Sequence, residues 1–275
     1  MNNSGILYIC PTPIGNLEDI TLRAIRILKE VDLIACEDTR VTQKLLNHYD
    51  ITTKSISYHK FSEKQKSEYL IKLLQEGKNI ALVSDAGTPV LSDPGFELVK
   101  QAQENNIKVV PLPGASAIMT AFSASGLVDN RFTFVGFLPK STKDREILIN
   151  KYKESNIIFF ESPSRFLKTL EELKTQLGNI NLVVARELTK IYEEIRKDTI
   201  ENHIDYFSKK QPKGEFTIII EGKKENYSLD ESILIEKIKN LKDAGYQTKE
   251  ISKIISLLFS CPKGTVYDLA ISQNK

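Results

Sequence analysis

Four consecutive apolar residues, Ile80, Ala81, Leu82 and Val83, run with no polar face into Ser84, Asp85, Ala86, Gly87, Thr88 and Pro89. A strand that is apolar at every position is buried on both sides, which is how an interior strand of a parallel sheet reads. This strand is expected to be central. The small residues after it let a ligand approach the backbone closely, with one carboxylate among them. Ligands in open α/β sheets sit beyond the carboxyl ends of the strands. Asp85 is therefore the first candidate ligand contact, with a solvated loop carboxylate as the competing role. Asp93, Pro94 and Gly95 end the stretch with the residues of a helix start, and Asp93 is expected to be an N-cap.

The flanking chain repeats the same alternation. Residues 6 to 10 read as a strand, followed by the loop PTPIGNLEDI and a helix from about Thr21 to Val31. DLIACED is a second strand, and TRVTQKLLNHYD a helix capped by Asp38 or Thr39. ISYH precedes a helix from Glu63 to Gln75; after the central strand come the helix FELVKQAQENN and the strand KVVPLPG. Five such alternations argue for a parallel sheet with helices on both faces. The first loop excludes common nucleotide folds. It has only Gly15 where a dinucleotide site needs three spaced glycines, and it lacks the glycine-lysine pair of a phosphate-binding P-loop.

From Gly114 the chain reads GASAIMTAFSASG, a helix of small residues suited to tight packing, with Ser116 at its start set apart as a ligand contact. Beyond Asp129 and Asn130 the strands FTFVGFLP, NIIFFES, NLVVAREL and GEFTIIIEG alternate with helices near 143 to 154, 163 to 177 and 201 to 210, a second α/β unit. RFTFVGF, from Arg131 to Phe137, has the aromatics of an RNA-binding strand, although alternate aromatics more often belong to a core. The polar segment KKENYSLDES leads to three helices, about Ile233 to Ala244, Thr248 to Leu258 and Pro262 to Ile271. Gly245 stops the first and Thr248 and Glu250 cap the second, in the shape of a helix-turn-helix module. The division expected is an N-terminal α/β domain at 1–115, a second α/β domain at 116–224 and a three-helix module at 230–275.

Composition narrows the function. With 275 residues and a net charge of +2, the chain has no broad phosphate-binding surface, and nucleic acid would be met by local patches. From Lys223 onward there are nine Lys and seven Asp or Glu, so the module is not unusually basic and could equally dock a partner or support a dimer. Cys10, Cys36 and Cys261 are odd in number and widely spaced, and with His48, His59 and His203 they give no metal-ligand spacing. No metal is expected. There is no charged leader before the first apolar run and no apolar stretch near the roughly 20 residues that span a bilayer, so a cytoplasmic protein without membrane contact is expected.

The loops at the strand ends hold carboxylates, one histidine, one arginine and many backbone amides, with no phosphate cradle and no nucleophilic triad. S-adenosylmethionine suits such a site. It carries no phosphate, a carboxylate can take its ribose hydroxyls or offset its sulfonium, and the reactive chemistry belongs to the cofactor. The ordered series PTPIGNLEDIT, ACEDTR, SDAGTPVLSDPG, PGASA, FVGFLPK, ESPSR, RELTK and KGE, spread over nearly the whole chain, resembles the ribosomal RNA small subunit methyltransferase I family of the tetrapyrrole (precorrin-like) methylase superfamily.

That resemblance implies a two-domain α/β fold with parallel and mixed sheets and S-adenosylmethionine in the cleft between domains. It also implies a homodimer and 2'-O-methylation of a cytidine ribose in the decoding region of 16S ribosomal RNA in the small ribosomal subunit. Carried over to this chain, Pro11, Pro13, Asp85, Gly87, Val90 and Ser116 would form one wall of the cofactor site. Arg186 to Leu188, with Leu188 as the contact, and the turn at Gly214 would form the other. Glu37, Asp38, Thr39 and Arg40 would face substrate, with Arg40, Lys140 and Arg165 able to hold RNA phosphate. Arg165 has a rival role, tying its helix to the sheet through a carboxylate. A ribose hydroxyl needs a group to accept or orient its proton, for which Glu37 and His59 are the candidates. Two other functions fit the cofactor half: methylation of a corrin-type small molecule, and a non-catalytic module that senses a nucleoside-like ligand and binds RNA or a partner. Turnover on undermethylated ribosomal subunits rather than a precorrin separates them.

Overall fold

The computed structural model describes residues 4–59, 63–222, 231–259 and 261–272. The segment Lys60, Phe61, Ser62 and most of the polar segment before the C-terminal helices lie outside the described residues. The first lobe carries β1 (Ile6–Ile9), α1 (Leu22–Glu30), β2 (Leu33–Cys36), α2 (Thr39–His48), β3 (Ser55–Ser57), α3 (Glu63–Gln75), β4 (Ile80–Val83), α4 (Phe96–Glu104) and β5 (Lys108–Pro111). Its sheet has the order β3-β2-β4-β1-β5 with every pair parallel, and β4 is the middle strand.

Complete burial of β2 and β4 follows from their uninterrupted apolar sequence. Leu33, Ala35, Ile80 and Leu82 point into a core with Leu70 and Leu74 of α3 and Leu98 of α4. Their neighbours Ile34, Cys36, Ala81 and Val83 point to the opposite face, against Ala24, Ile27 and Leu28 of α1 and Leu46 of α2. Helices thus cover both faces, and the open carboxyl ends are left for function.

The second lobe follows α5 (Ala117–Ser123) with β6 (Phe132–Phe137), α6 (Thr142–Tyr152), β7 (Asn156–Glu161), α7 (Pro163–Leu177), β8 (Asn181–Arg186), β9 (Glu194–Thr199), α8 (Ile200–Lys209) and β10 (Phe216–Ile220). Its sheet is mixed, in the order β6-β7-β10-β8-β9, with only β6 and β7 parallel. One face packs on Ile149 of α6, Phe166 and Leu170 of α7 and Phe207 of α8. The other packs on Ile118 and Ala121 of α5 and on Ile14 from the first loop. Strand β9, EIRKDT, has no apolar pattern and was not expected from sequence. It is an edge strand held by its ladder to β8, where Arg186 faces Glu194, and charge on such an edge discourages further pairing.

Both sheets belong to one compact unit, and the C-terminal helices to a second made of Lys153–Ser155 and Gly222–Lys275. That second unit has α9 (Glu231–Asp243), α10 (Thr248–Phe259) and α11 (Lys263–Ser272) around Leu234, Ile238, Ile251, Ile255 and Val266. Gly245, at φ +88°, closes α9 as expected. At the start of α10, Glu250 accepts the Gln247 N–H, so Thr248 is the first helical residue and not the cap. No helix among the described residues is long and apolar enough to cross a membrane.

Candidate active site

Three loops at the carboxyl ends of the first sheet are knitted together by backbone. Thr12 and Gly87 exchange N–H to carbonyl hydrogen bonds of 2.9 Å in both directions. The Thr12 hydroxyl donates to the Ser84 carbonyl and the Thr88 hydroxyl to the Ala115 carbonyl. Pro11 packs where any side chain on Gly114 would stand, 2.6 Å from that position. The sequence PTPIG, SDAGT and PGAS thus forms one rigid floor.

Above this floor lies a cleft of about 410 Å³ shared by the two lobes. The first lobe and α5 contribute Ile14, Asp85 to Thr88, Leu91 to Asp93 and Ser116 to Ile118; the second lobe contributes Phe137, Phe160 to Pro163 and Gly214 to Thr217. The lining includes four carboxylates, Asp85, Asp93, Glu161 and Glu215, and no Lys, Arg or His. Arg165 and Lys190 pair with Glu161 and Glu215, so the charge that disfavours a phosphate and favours a cation comes from Asp85 and Asp93.

Of the eight residues expected to hold a cofactor, Asp85, Gly87, Ser116 and Gly214 line this cleft, on walls from both lobes. Pro11, Pro13, Val90 and Leu188 do not. Pro11 supports the floor. Val90, at φ +76°, packs against the first core, and Leu188 is buried beside Ile14. Ser116 also caps α5, accepting the Met119 N–H at 3.5 Å. A side chain on Gly214, at φ +90°, would stand 2.3 Å from the Glu187 carboxylate, which accepts the Glu215 N–H and pairs with Lys190. The turn therefore requires glycine.

Asp93 corrects the sequence reading. It does not cap α4; Gly95 occupies that position without a side-chain cap. Glu63, from α3, takes the role by accepting the Gly95 and Glu97 N–H groups. Asp93 is thereby free to face the cleft, where burial and the nearby Glu37 and Asp85 push its carboxyl up to about 6. The only sequence signal was its place between two small-residue turns.

A second, more open hollow of about 390 Å³ is lined by Glu37, Asp38, Thr39, Arg40, Ser57, His59 and again Asp85. The three residues expected to act on substrate, Glu37, Arg40 and His59, are therefore together, and Asp85 borders both spaces. Asp38 caps α2 by accepting the Arg40 N–H at 2.8 Å. Arg40 binds its side chain at 2.6 Å, which holds the Asp38 carboxyl down at about 2. Asp85 accepts the Asp38 N–H at 3.0 Å. Partial burial raises the Glu37 carboxyl above its ordinary value, Asp85 and Asp38 raise it further, and His59 opposes them. Its raised proton affinity suits Glu37 to accepting a proton.

The other two cations expected to meet phosphate differ. Lys140 is exposed. Arg165 takes its structural role: it donates to the Leu138 carbonyl at 3.0 Å and lies 3.5 Å from the buried Glu161.

Residues 6–203 match the family model described as Tetrapyrrole (Corrin/Porphyrin) Methylases. The chain is similar to the ribosomal RNA small subunit methyltransferase I of Halalkalibacterium halodurans, 44% identical over 98% of this chain and 95% of that one. It is also 44% identical to the protein of that name from Synechocystis, over 97% of this chain and 98% of the relative. Among solved structures, a diphthine synthase superposes with a TM-score of 0.64 at 14% identity, covering 79% of this chain and 90% of that one, which speaks for the fold. With the two lobes, the shared acidic cleft and full-length identity of this degree, the chain belongs to the ribosomal RNA small subunit methyltransferase I family of the tetrapyrrole methylases.

Proposed function

We propose that this protein uses S-adenosylmethionine to methylate the 2'-hydroxyl of a cytidine ribose in the decoding region of 16S ribosomal RNA. The observation that carries the reading is the lining of the larger cleft, acidic at Asp85 and Asp93 and with no Lys, Arg or His among the described residues, set against the Arg40-bearing hollow across Asp85. A phosphate-free cationic donor fits the first space, and a phosphodiester acceptor finds its counter-charge in the second. The names of the full-length relatives point to small-subunit ribosomal RNA as the substrate.

Asp85, Gly87, Ser116 and Gly214 would hold the cofactor, whose sulfonium supplies an activated methyl group when bound. The protein's own contribution is alignment and proton handling. Glu37 accepts or orients the 2'-hydroxyl proton, which its raised proton affinity favours. His59, in the same hollow, orients the acceptor, and Arg40, whose side chain is 88% exposed, reaches phosphate. The bound acceptor and the apolar walls exclude water. A homodimer in the cytoplasm completes the assignment, and sedimentation equilibrium tests the dimer.

The test is methyl transfer from labelled donor to undermethylated small subunits, with the product nucleoside identified by digestion and mass spectrometry. 2'-O-methylcytidine in the decoding region is expected. A methylated precorrin, or label on a base carbon or nitrogen, would overturn the assignment.

A further inference from the structure

The aromatic strand β6 leaves one ring without a role. Strict alternation along Phe132–Phe137 would put Phe132, Phe134 and Gly136 on one face and Phe137 on the other. The strand breaks that alternation: Phe134 is opposite Ile158 on β7, while Phe137 is opposite Phe160. Three steps on β6 therefore match two on β7, a β-bulge, and Gly136 at φ +68° takes the left-handed position it needs. Phe137 emerges on the same face as Phe134, and both lie edge-on to Phe160, with centroids 5.8 and 5.0 Å away.

The two rings then part company. Phe134 packs into the core against α5, whereas Phe137 is 55% exposed and forms part of the cleft wall with Phe160. The first-lobe turn closes on the bulge, since a side chain on Gly136 would be 3.5 Å from the Ser92 hydroxyl. Its neighbour Leu91, 46% exposed, lines the same cleft. An exposed ring braced by a second ring, at the mouth of a cleft without phosphate-binding groups, offers a flat apolar face.

We propose that Phe137 is a stacking platform for the flat face of a nucleobase in the filled site. The inference rests on the methyl-transfer reading above, which brings two such rings to this place, the adenine of the donor and the target base. The test uses the full chain and Phe137→Leu, which keeps apolar bulk and loses the flat face, with Phe137→Trp as the conservative partner. S-adenosylhomocysteine and adenosine are titrated calorimetrically, and KM is measured for undermethylated small subunits.

Stacking on adenine predicts a roughly tenfold or larger loss of affinity for both small ligands in Phe137→Leu, recovered in Phe137→Trp. Stacking on the target base predicts unchanged ligand affinities with a comparable rise in KM for subunits, again recovered by Trp. Wild-type binding and KM in Phe137→Leu would overturn the platform while leaving the methyl-transfer reading intact. A wild-type protein that binds neither small ligand would overturn both.

Discussion

The two sheets each have five strands and each send carboxylates to the same cleft, yet they secure those charges differently. In the second lobe, Glu161 is fully buried and engaged by the Ser162 N–H, the Thr169 hydroxyl and Arg165, and Glu215 pairs with Lys190. In the first lobe, Asp85 accepts a single main-chain N–H from Asp38, and the charges that bear most on Asp93 are other carboxylates. The second lobe uses its acids to hold its own loops in place. The first keeps them without an ion pair, with only a through-space pull from Arg40 on Asp85 and a hydrogen bond from Ser84 on Asp93, which costs stability and favours drawing in a cation.

The largest effect should come from breaking the second lobe's internal charge network. Arg145 is buried, donates to the Pro139 carbonyl and pairs with Glu172. Arg145→Ala should cost about 3 kcal/mol, since it leaves the partly buried Glu172 without its partner and empties a buried site, measured by urea unfolding. Wild-type stability would mean that this network is not structural.

Glu37→Ala should do the opposite, leaving the unfolding midpoint near wild type while turnover falls about 100-fold or more and donor affinity is kept. Equal losses of turnover and affinity, in transfer and titration assays, would remove Glu37 from the proton-handling role.

Asp93→Asn sharpens the contrast through pH. A carboxyl raised to about 6 in the folded protein binds its proton more tightly there than in the unfolded chain, so its contribution is present at low pH and is lost as pH rises through about 6. At pH 8 the variant should therefore melt about 2–4 °C higher than wild type, with the gain vanishing near pH 4, while affinity for a cationic donor falls. A variant that melts lower at pH 8 would contradict the uncompensated charge.

Smallest is Arg40→Ala. Its ion pair with Asp38 is exposed, so stability should stay near wild type. If it reaches a phosphate, the slope of log affinity for small subunits against log salt should fall by about one, and an unchanged slope would exclude that contact.

What the sequence made legible follows the same division. Runs such as Ile80–Val83 declare themselves because an interior strand must be apolar on both faces, and the Asp38 cap and the Glu63–Gln75 helix depend on neighbours in sequence. Asp85 and Ser116 could be singled out because small residues mark the turns at strand ends, whereas Gly87 and Gly214 came from the family resemblance; all four line the cleft. Strand β9 could not, since an edge strand is stabilised by its ladder and tolerates charge at most positions. Asp93 was misjudged because its replacement as helix cap, Glu63, stands 32 residues from Gly95. The outward turn of Phe137 depended on a register shift that no periodicity within β6 reveals.

Asp85 belongs to the perimeter of both hollows, and burial raises its proton affinity, with the Asp38 carboxylate adding to it and the Asp38 N–H and Arg40 opposing. A positive guest settling beside it would relax that strain, and Glu37, which feels Asp85 through space, would let go of its proton more easily. On the proposed reading, a positive guest on one side would thus make Glu37 on the other side give up a proton more easily, and a guest that left without its charge would reverse that.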